Sequence, residues 1–274
     1  MTDCIAIIIA MESERRHLDS LMPGWETVEH TVWPTLRNKD VVCITSGIGM
    51  VSAAAATEYA ISTYSPTMVM NYGCVGAHTR DLFPGDVVIG ERLVHQGRMR
   101  FASDGEIIPL EAGFYVPGET KQVTDLSTDP ALRQLAEEVA SALIFSTADE
   151  DENEANEGLA WQRAGGPVSV NTGTVSSGDL WLQSEESIDA ANGRTGSLCE
   201  DMEAASIAQI CALHDVPFLT VKDISNNELH KTTIFEGSTS ELHLDELGMH
   251  SAMVIVGVIE KLRQIGGLRR MRYS

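Results

Sequence analysis

The stretch VSSGDLWL (175–182) is followed by EDMEAASIA (200–208). Glu203 stands where an apolar, Ala-rich helix begins, so its carboxylate is expected at a strand-to-helix junction. A carboxylate held there can take both hydroxyls of a ribose, because an ionised carboxylate offers only acceptors. The same position also suits ordinary capping, since acids at a helix start meet the partial positive charge of the free N–H groups. Nearer the N-terminus, AMESE carries Glu12 and Glu14 just past an apolar run. Acids there are either helix N-terminal residues or a base able to deprotonate water. Trp181 follows a Gly-Asp turn, where an aromatic face can stack on a planar ligand or simply fill the core.

Alternating strands, glycine turns and helices must position these groups. CIAIIIA (4–10) is a β-branched apolar run, as a buried strand requires, and ESERRHLDSLM after it reads as a helix. DVVCITSGIG (40–49) and TMVMNYGCVGA (67–77) read as strands ending on glycines, with an Ala-rich helix over 51–64 between them. PGDVVIGERLVH (84–95), PVSVNTGTVSSGD (167–179) and VPFLTVKDISN (216–226) read as turns and strands; 128–144, 200–215 and 241–265 read as helices. This alternation predicts a three-layer α/β fold, in which ligands gather at the C-terminal ends of strands. The acidic run ADEDENEANEGLA (148–160) reads as a surface loop.

The chain has 274 residues, 43% hydrophobic content and a formal net charge of −21. Such a surplus of acid excludes phosphate-backbone binding, which needs clustered Lys and Arg. The five cysteines are odd in number and form no CxxC, so neither a disulfide framework nor a metal site is expected. Cys4, Cys43, Cys74 and Cys211 lie in apolar runs and read as small core residues. The N-terminal run lacks a basic flank and is too short for a signal or a membrane span. A cytoplasmic protein without membrane or nucleic-acid partners is expected.

IAIIIAMESE, SGIGMVSAAAA, NYGCVGA, a GD pair before VVIGE, SGDLWL, MEAASIA and VKDISN occur in this order along the chain. That order resembles the methylthioadenosine/S-adenosylhomocysteine nucleosidases of the nucleoside phosphorylase/hydrolase superfamily. The resemblance runs from about residue 4 to 262 and is interrupted by a divergent acidic insertion near 145–165. It implies one αβα domain over 1–274 with a central mixed sheet. It also implies hydrolysis of a purine nucleoside to base and ribose without a cofactor, in a homodimer that completes its 5′ pocket with a partner's residues.

The resemblance assigns roles residue by residue. The family's Met-x-x-Glu points to Glu14 as the water-activating residue and leaves Glu12 without a role. Met202 and Glu203 match the Met-Glu pair that holds the ribose, with Asp201 and Glu200 beside it. Met11 and Ile48 border the sugar, and Trp181, flanked by Leu180 and Leu182, faces the purine. Cys74 stands where the family has Ser or Thr, in a third-strand motif closing on Gly76. Arg98, in HQGRMRF, either reaches the 5′ group or is solvated.

The chain departs from the family at Ile224-Ser225-Asn226, where the family carries Ile-Ser-Asp and the Asp protonates adenine N7. Asn226 has no acidic proton, but its amide can donate to a 6-oxo group and accept from a protonated N7. A preference for 6-oxopurines is therefore expected. Asp223 should face the other side of the strand. Phosphorolytic relatives of the bacterial six-subunit type carry Arg two residues before the third-strand glycine; here that residue is Asn71, and Glu14 would repel phosphate. A phosphate-dependent phosphorylase and a non-catalytic, storage-type relative remain as alternatives.

Overall fold

The computed structural model describes residues 4–110, 112–116, 119–123, 126–150, 162–163, 166–230, 232–233 and 248–266. The chain opens with β1 (Ile5–Ile9), α1 (Glu12–Arg15) and α2 (His17–Leu21). Then follow β2 (Glu26–Thr27), β3 (Thr35–Asn38), β4 (Val41–Thr45), α3 (Met50–Tyr64), β5 (Met68–Ala77) and β6 (Val87–His95). Next are β7 (Met99–Phe101), β8 (Ile107–Pro109), β9 (Ala112–Val116), β10 (Glu119–Val123), β11 (Leu126–Ser127) and α4 (Pro130–Glu150). After β12 (Gln162–Arg163) and β13 (Gly166–Pro167) come β14 (Val170–Ser177), α5 (Glu185–Thr195), β15 (Ser197–Asp201) and α6 (Ala204–Leu213). The described chain ends with β16 (Phe218–Asn227), a 3-10 turn over Glu228–His230, β17 (Thr232–Thr233) and α7 (Met249–Ile265).

One mixed sheet dominates, in the order β17-β16-β6-β14-β15-β5-β1-β4-β3-β2, with β11 on β6. Because β16 also pairs with β5, the strands β5, β16, β6, β14 and β15 close a ring. The pairs β1–β4, β1–β5, β5–β16, β6–β14 and β14–β15 are parallel, whereas β16–β6 and β15–β5 are antiparallel.

The alternation in β1 explains the layers. Ile5, Ile7 and Ile9 pack with Leu132 and Val139 of α4 and Ile255 and Ile259 of α7. Ala6 and Ile8 face the other way, onto Ala53, Ala56 and Ala60 of α3 and Ala204 and Ile207 of α6. Successive side chains of a strand point to opposite faces, so a run apolar at every position demands cover on both. The fold is thus the expected three-layer αβα arrangement with a central mixed sheet.

Some boundaries differ from the sequence reading. The segment after β1 forms two short helices rather than one, and the helix expected to end at 144 runs to Glu150. The helix expected over 200–215 begins only at Ala204, because Glu200 and Asp201 still belong to β15 and pair with β14. Most of the acidic insertion, and residues 241–247 of the closing helix, lie outside the described residues. Cys4 and Cys74 are half-buried rather than core, whereas Cys43 and Cys211 are buried; all five cysteines are free thiols. No helix among the described residues is long and apolar enough to cross a membrane.

Candidate active site

Strand ends and helix starts converge on two buried carboxylates. Glu14, 3% exposed, lies in α1 and turns its side chain back toward the strand ends. Its Oε2 accepts from the Met11 N–H at 3.1 Å and its Oε1 from the Cys74 N–H at 2.9 Å. The Tyr72 hydroxyl donates to its main-chain oxygen at 2.9 Å. Burial pushes its carboxyl above the ordinary range, opposed by the Cys74 N–H and the Lys222 charge. Cys74 meets Glu14 through its main-chain N–H and also through its thiol.

Glu203 is the residue before α6, as its expected junction position requires. It is buried, and its Oε1 accepts from the Gly49 N–H at 2.8 Å. Gly49 has φ +103°, and a Cβ there would lie 2.9 Å from Asp179 Oδ1, so this turn needs glycine. Asp179 in turn accepts from the Met50 N–H at 2.8 Å, capping α3. The SGIG turn is thereby tied to both the SGD turn and Glu203. Burial, then the charge of Asp201, pushes Glu203 up to about 7.

Lys222 is the cation of this cluster, 2% exposed, with Nζ 2.7 Å from Asp201 Oδ2. Burial alone would lower its pKa, but Asp201, Glu203 and Glu14 together hold it above the ordinary value. Asp201 also accepts from the Ser177 hydroxyl and from the Ala204 N–H, so it caps α6 and is fully engaged in holding the framework. Sequence reasoning gave Lys222 no role. Its signal was a lysine directly after the apolar-rich start of a strand, since such a residue is rarely buried without a partner.

Beside this cluster, Asn226 and Gly76 pair across β16 and β5, and Gly76 alternates with Cys74 onto the same face. Asn226 Oδ1 accepts from the Ser225 hydroxyl at 2.9 Å, and its Nδ2 donates to Glu228 Oε1 at 3.1 Å. Glu200 lies on the far side of Gly76, and the Leu182 N–H donates to its Oε1 at 2.8 Å. The sequence set Glu200 beside the Met-Glu pair without a definite role, and it did not single out Glu228.

Met11, Met202, Leu180 and Leu182 are half-buried, while Trp181 is 53% and Ile48 55% exposed. Met50, Val51, Arg98, Asp179 and Leu180 border a groove of about 680 Å³ beside the SGD turn. Arg98 is half-buried rather than solvated, with Nη2 3.5 Å from Gln209 Oε1, the same oxygen that His95 Nε2 meets at 2.7 Å. Glu12 is exposed and hydrogen-bonded to Arg15, which lowers its pKa. Asp223 is turned away as expected, accepting from the His250 and Ser251 N–H groups at the start of α7. Asn71 is buried, bonded to the Ile8 carbonyl and the Thr220 hydroxyl. Among the described residues no group of three or more His, Cys, Asp or Glu is arranged to hold a metal ion.

Chemically, the arrangement offers a desolvated base, a second carboxylate open to hydroxyl donors, a cation that keeps both acids compatible, and an amide presenting a donor beside an acceptor. Curated relatives include 5′-methylthioadenosine/S-adenosylhomocysteine nucleosidases of Oceanobacillus iheyensis and Chromohalobacter salexigens. The first is 28% identical over 264 residues, covering 94% of this chain and 99% of the relative. The second is 29% identical over 269 residues, covering 94% and 97%. Among solved structures, the fold is similar to the Neisseria meningitidis nucleosidase of the same name in complex with methylthio-immucillin-A. Its TM-score is 0.72 at 24% identity, over 95% of this chain and 100% of that one. It is also similar to futalosine hydrolase of Helicobacter pylori strain 26695, with TM-score 0.71 at 20% identity, over 96% and 99%. The family described as the phosphorylase superfamily matches residues 4–260, and the chain belongs to that superfamily.

Proposed function

We propose that the protein is a purine nucleosidase, hydrolysing the N-glycosidic bond of a nucleoside to free base and ribose or a 5′-modified ribose. The observation that carries this reading is the pair of buried carboxylates, Glu14 and Glu203, held around Lys222 beside the amide of Asn226. The names of the curated relatives support it.

In this reading Glu14 removes a proton from water as the water oxygen attacks C1′. The oxocarbenium-like ribosyl centre that forms has its hydroxyls held by Glu203. Met11, Met202 and Ile48 border the sugar, and Trp181, Leu180, Leu182 and Ser225 flank the base. As the C1′–N9 bond breaks, a solvent water supplies the proton taken up at N7 of the departing base, and Asn226 Oδ1 accepts that N7–H while Nδ2 meets O6. Water is favoured over phosphate because Glu14 would repel an oxyanion and Asn71 is engaged within the sheet.

The chain acts as one domain over 1–274 and as a homodimer. The exposed Val51, Ile48, Trp181 and Phe101 support a partner, and Arg98, which borders the groove, is the residue assigned to the 5′ group. It serves purine salvage in the cytoplasm, consistent with five unpaired thiols.

Chromatography of base released from inosine, guanosine, adenosine and methylthioadenosine, each with and without phosphate, tests the reading. Phosphate-independent release is expected, faster from the 6-oxo nucleosides, and Asn226→Asp is expected to shift preference toward the 6-amino ones. An unpaired buried donor costs roughly 1–3 kcal/mol, so discrimination of about ten- to a hundredfold follows. Strict phosphate dependence would replace the hydrolase by a phosphorylase.

A further inference from the structure

Three arginines border one small cavity at the end of β6. Arg92 of β6, Arg98 just after it and Arg194 from the last turn of α5 line a space of about 90 Å³ together with His95, Gln96 and Thr195. No acid stands among the described residues that line it. The chain has 40 Asp and Glu against 19 Lys and Arg, so arginines gathered without an acid are against its general balance. The C-terminal end of α5 accounts for part of the gathering. Arg92 Nη1 donates to the Thr195 carbonyl at 3.0 Å, and Arg194 sits where a helix end favours a cation. Neither reason reaches Arg98. Its Nη2 has only the neutral Gln209 amide oxygen, at 3.5 Å and shared with His95, and its Nη1 has no acceptor. Among the described residues no carboxylate balances its charge. Burial, then the Arg98 charge, lowers the pKa of His95, so the positive field is felt at the cavity wall. Leu93 and Leu126, buried and paired across β6 and β11, also line the cavity and give it an apolar backing, which strengthens such a field.

We propose that this cavity is an oxyanion site, in which the guanidinium groups of Arg92, Arg98 and Arg194 hold one compact phosphate-like or carboxylate group. Guanidinium forks match the oxygens of such groups in pairs, and a charged acceptor makes each hydrogen bond stronger than a neutral one. A space of about 90 Å³ suits a single small anion and is too small for a nucleoside. The oxyanion has two sources. His95 and Arg98 also border the larger groove beside the SGD turn, so the anionic end of a ligand lying in that groove is one, and a free ion is the other. Glu14 and Glu203 do not line the cavity, so an ion bound there is held apart from the two acids assigned to water and ribose. The site therefore goes beyond the nucleosidase reading and does not depend on it.

Calorimetric titration of inorganic phosphate, sulfate and chloride, at one ionic strength, into the wild type, Arg98→Gln, Arg194→Gln and Arg194→Lys tests this. Phosphate and sulfate are expected to bind the wild type at least about tenfold more tightly than chloride, and to bind each Gln variant about tenfold more weakly than the wild type. Arg194→Lys keeps the charge but loses the fork and should fall between. Far-ultraviolet dichroism checks that each variant folds; if one does not, the remaining variants decide. A second phosphate titration, in the Glu14→Gln background that suppresses turnover, is run with inosine or inosine 5′-monophosphate present in excess. Blocking by the 5′-monophosphate alone assigns the oxyanion to a ligand in the groove, and blocking by neither assigns it to a free ion. Blocking by inosine as well puts the ion in the nucleoside groove and overturns the separate cavity. No binding of phosphate or sulfate, or binding that the Gln variants leave unchanged, overturns the site. Base release from nucleosides, on which the nucleosidase reading stands or falls, is untouched by either result.

Discussion

Gly73 gives up its side-chain space to the carboxylate of Glu14: a Cβ there would stand 2.5 Å from Oε1 and 3.0 Å from Cδ. The neighbouring Cys74 N–H is the donor that fixes the same oxygen. A methyl at residue 73 must therefore displace the carboxylate. Gly73→Ala is expected to lower kcat by about 10²-fold, as a displacement of about 1 Å of a catalytic group does, while near-ultraviolet and far-ultraviolet dichroism stay unchanged. Activity within threefold of wild type, about 0.7 kcal/mol, would mean that Glu14 tolerates the shift.

Glu203 titrates near 7 because it is buried, and next because Asp201 is charged. An acid raised in the folded state contributes stability that is complete below its unfolded value, 4.5, and is lost as pH rises through about 7. Glu203→Gln removes the cost of the buried charge. Its stability relative to wild type is expected to rise by about 1–3 kcal/mol between about pH 5 and pH 8, measured by urea unfolding. On the proposed role of Glu203, in which its ionised form accepts the ribose hydroxyls, wild-type turnover should climb over the same window. A difference in stability that stays flat across it would show that Glu203 is not raised.

Lys222 is buried against Asp201 and faces Glu203 and Glu14. Lys222→Met leaves uncompensated buried acids and is expected to cost about 3–5 kcal/mol of stability. The double variant Lys222→Met/Asp201→Asn should lose less than the sum of the two single changes, because the pair acts as a unit. Additive losses in urea unfolding would remove the coupling.

Much of the framework was legible because its signals are local. The unbroken apolar run of β1 demands two covered faces, and Gly49 marks a turn that only a residue tolerant of positive φ can make. Glu203 was legible as a junction acid because the Ala-rich run of α6 begins immediately after it. The start of that helix was set too early, since nothing in EDME says whether Asp201 joins the helix or caps it from the strand. Lys222 was missed for a related reason. Its partner Asp201 comes from a different strand, and neither residue carries a local pattern that announces the other. The sheet order set Glu200, named in the sequence without a definite role, beside Gly76, and Glu228 became visible only when the turn after β16 brought it back to Asn226.

The most direct measurement of the central claim compares base release from inosine in phosphate-free buffer by wild type, Glu14→Gln and Glu12→Gln. Glu14 is buried and held by two N–H donors, whereas Glu12 is exposed and paired with Arg15. The account predicts phosphate-independent release by wild type and a loss on the order of 10²–10⁴ in kcat for Glu14→Gln. Glu12→Gln should stay within about threefold of wild type, as removing a surface ion pair changes little. Equal losses from both variants, or full activity in Glu14→Gln, would contradict it.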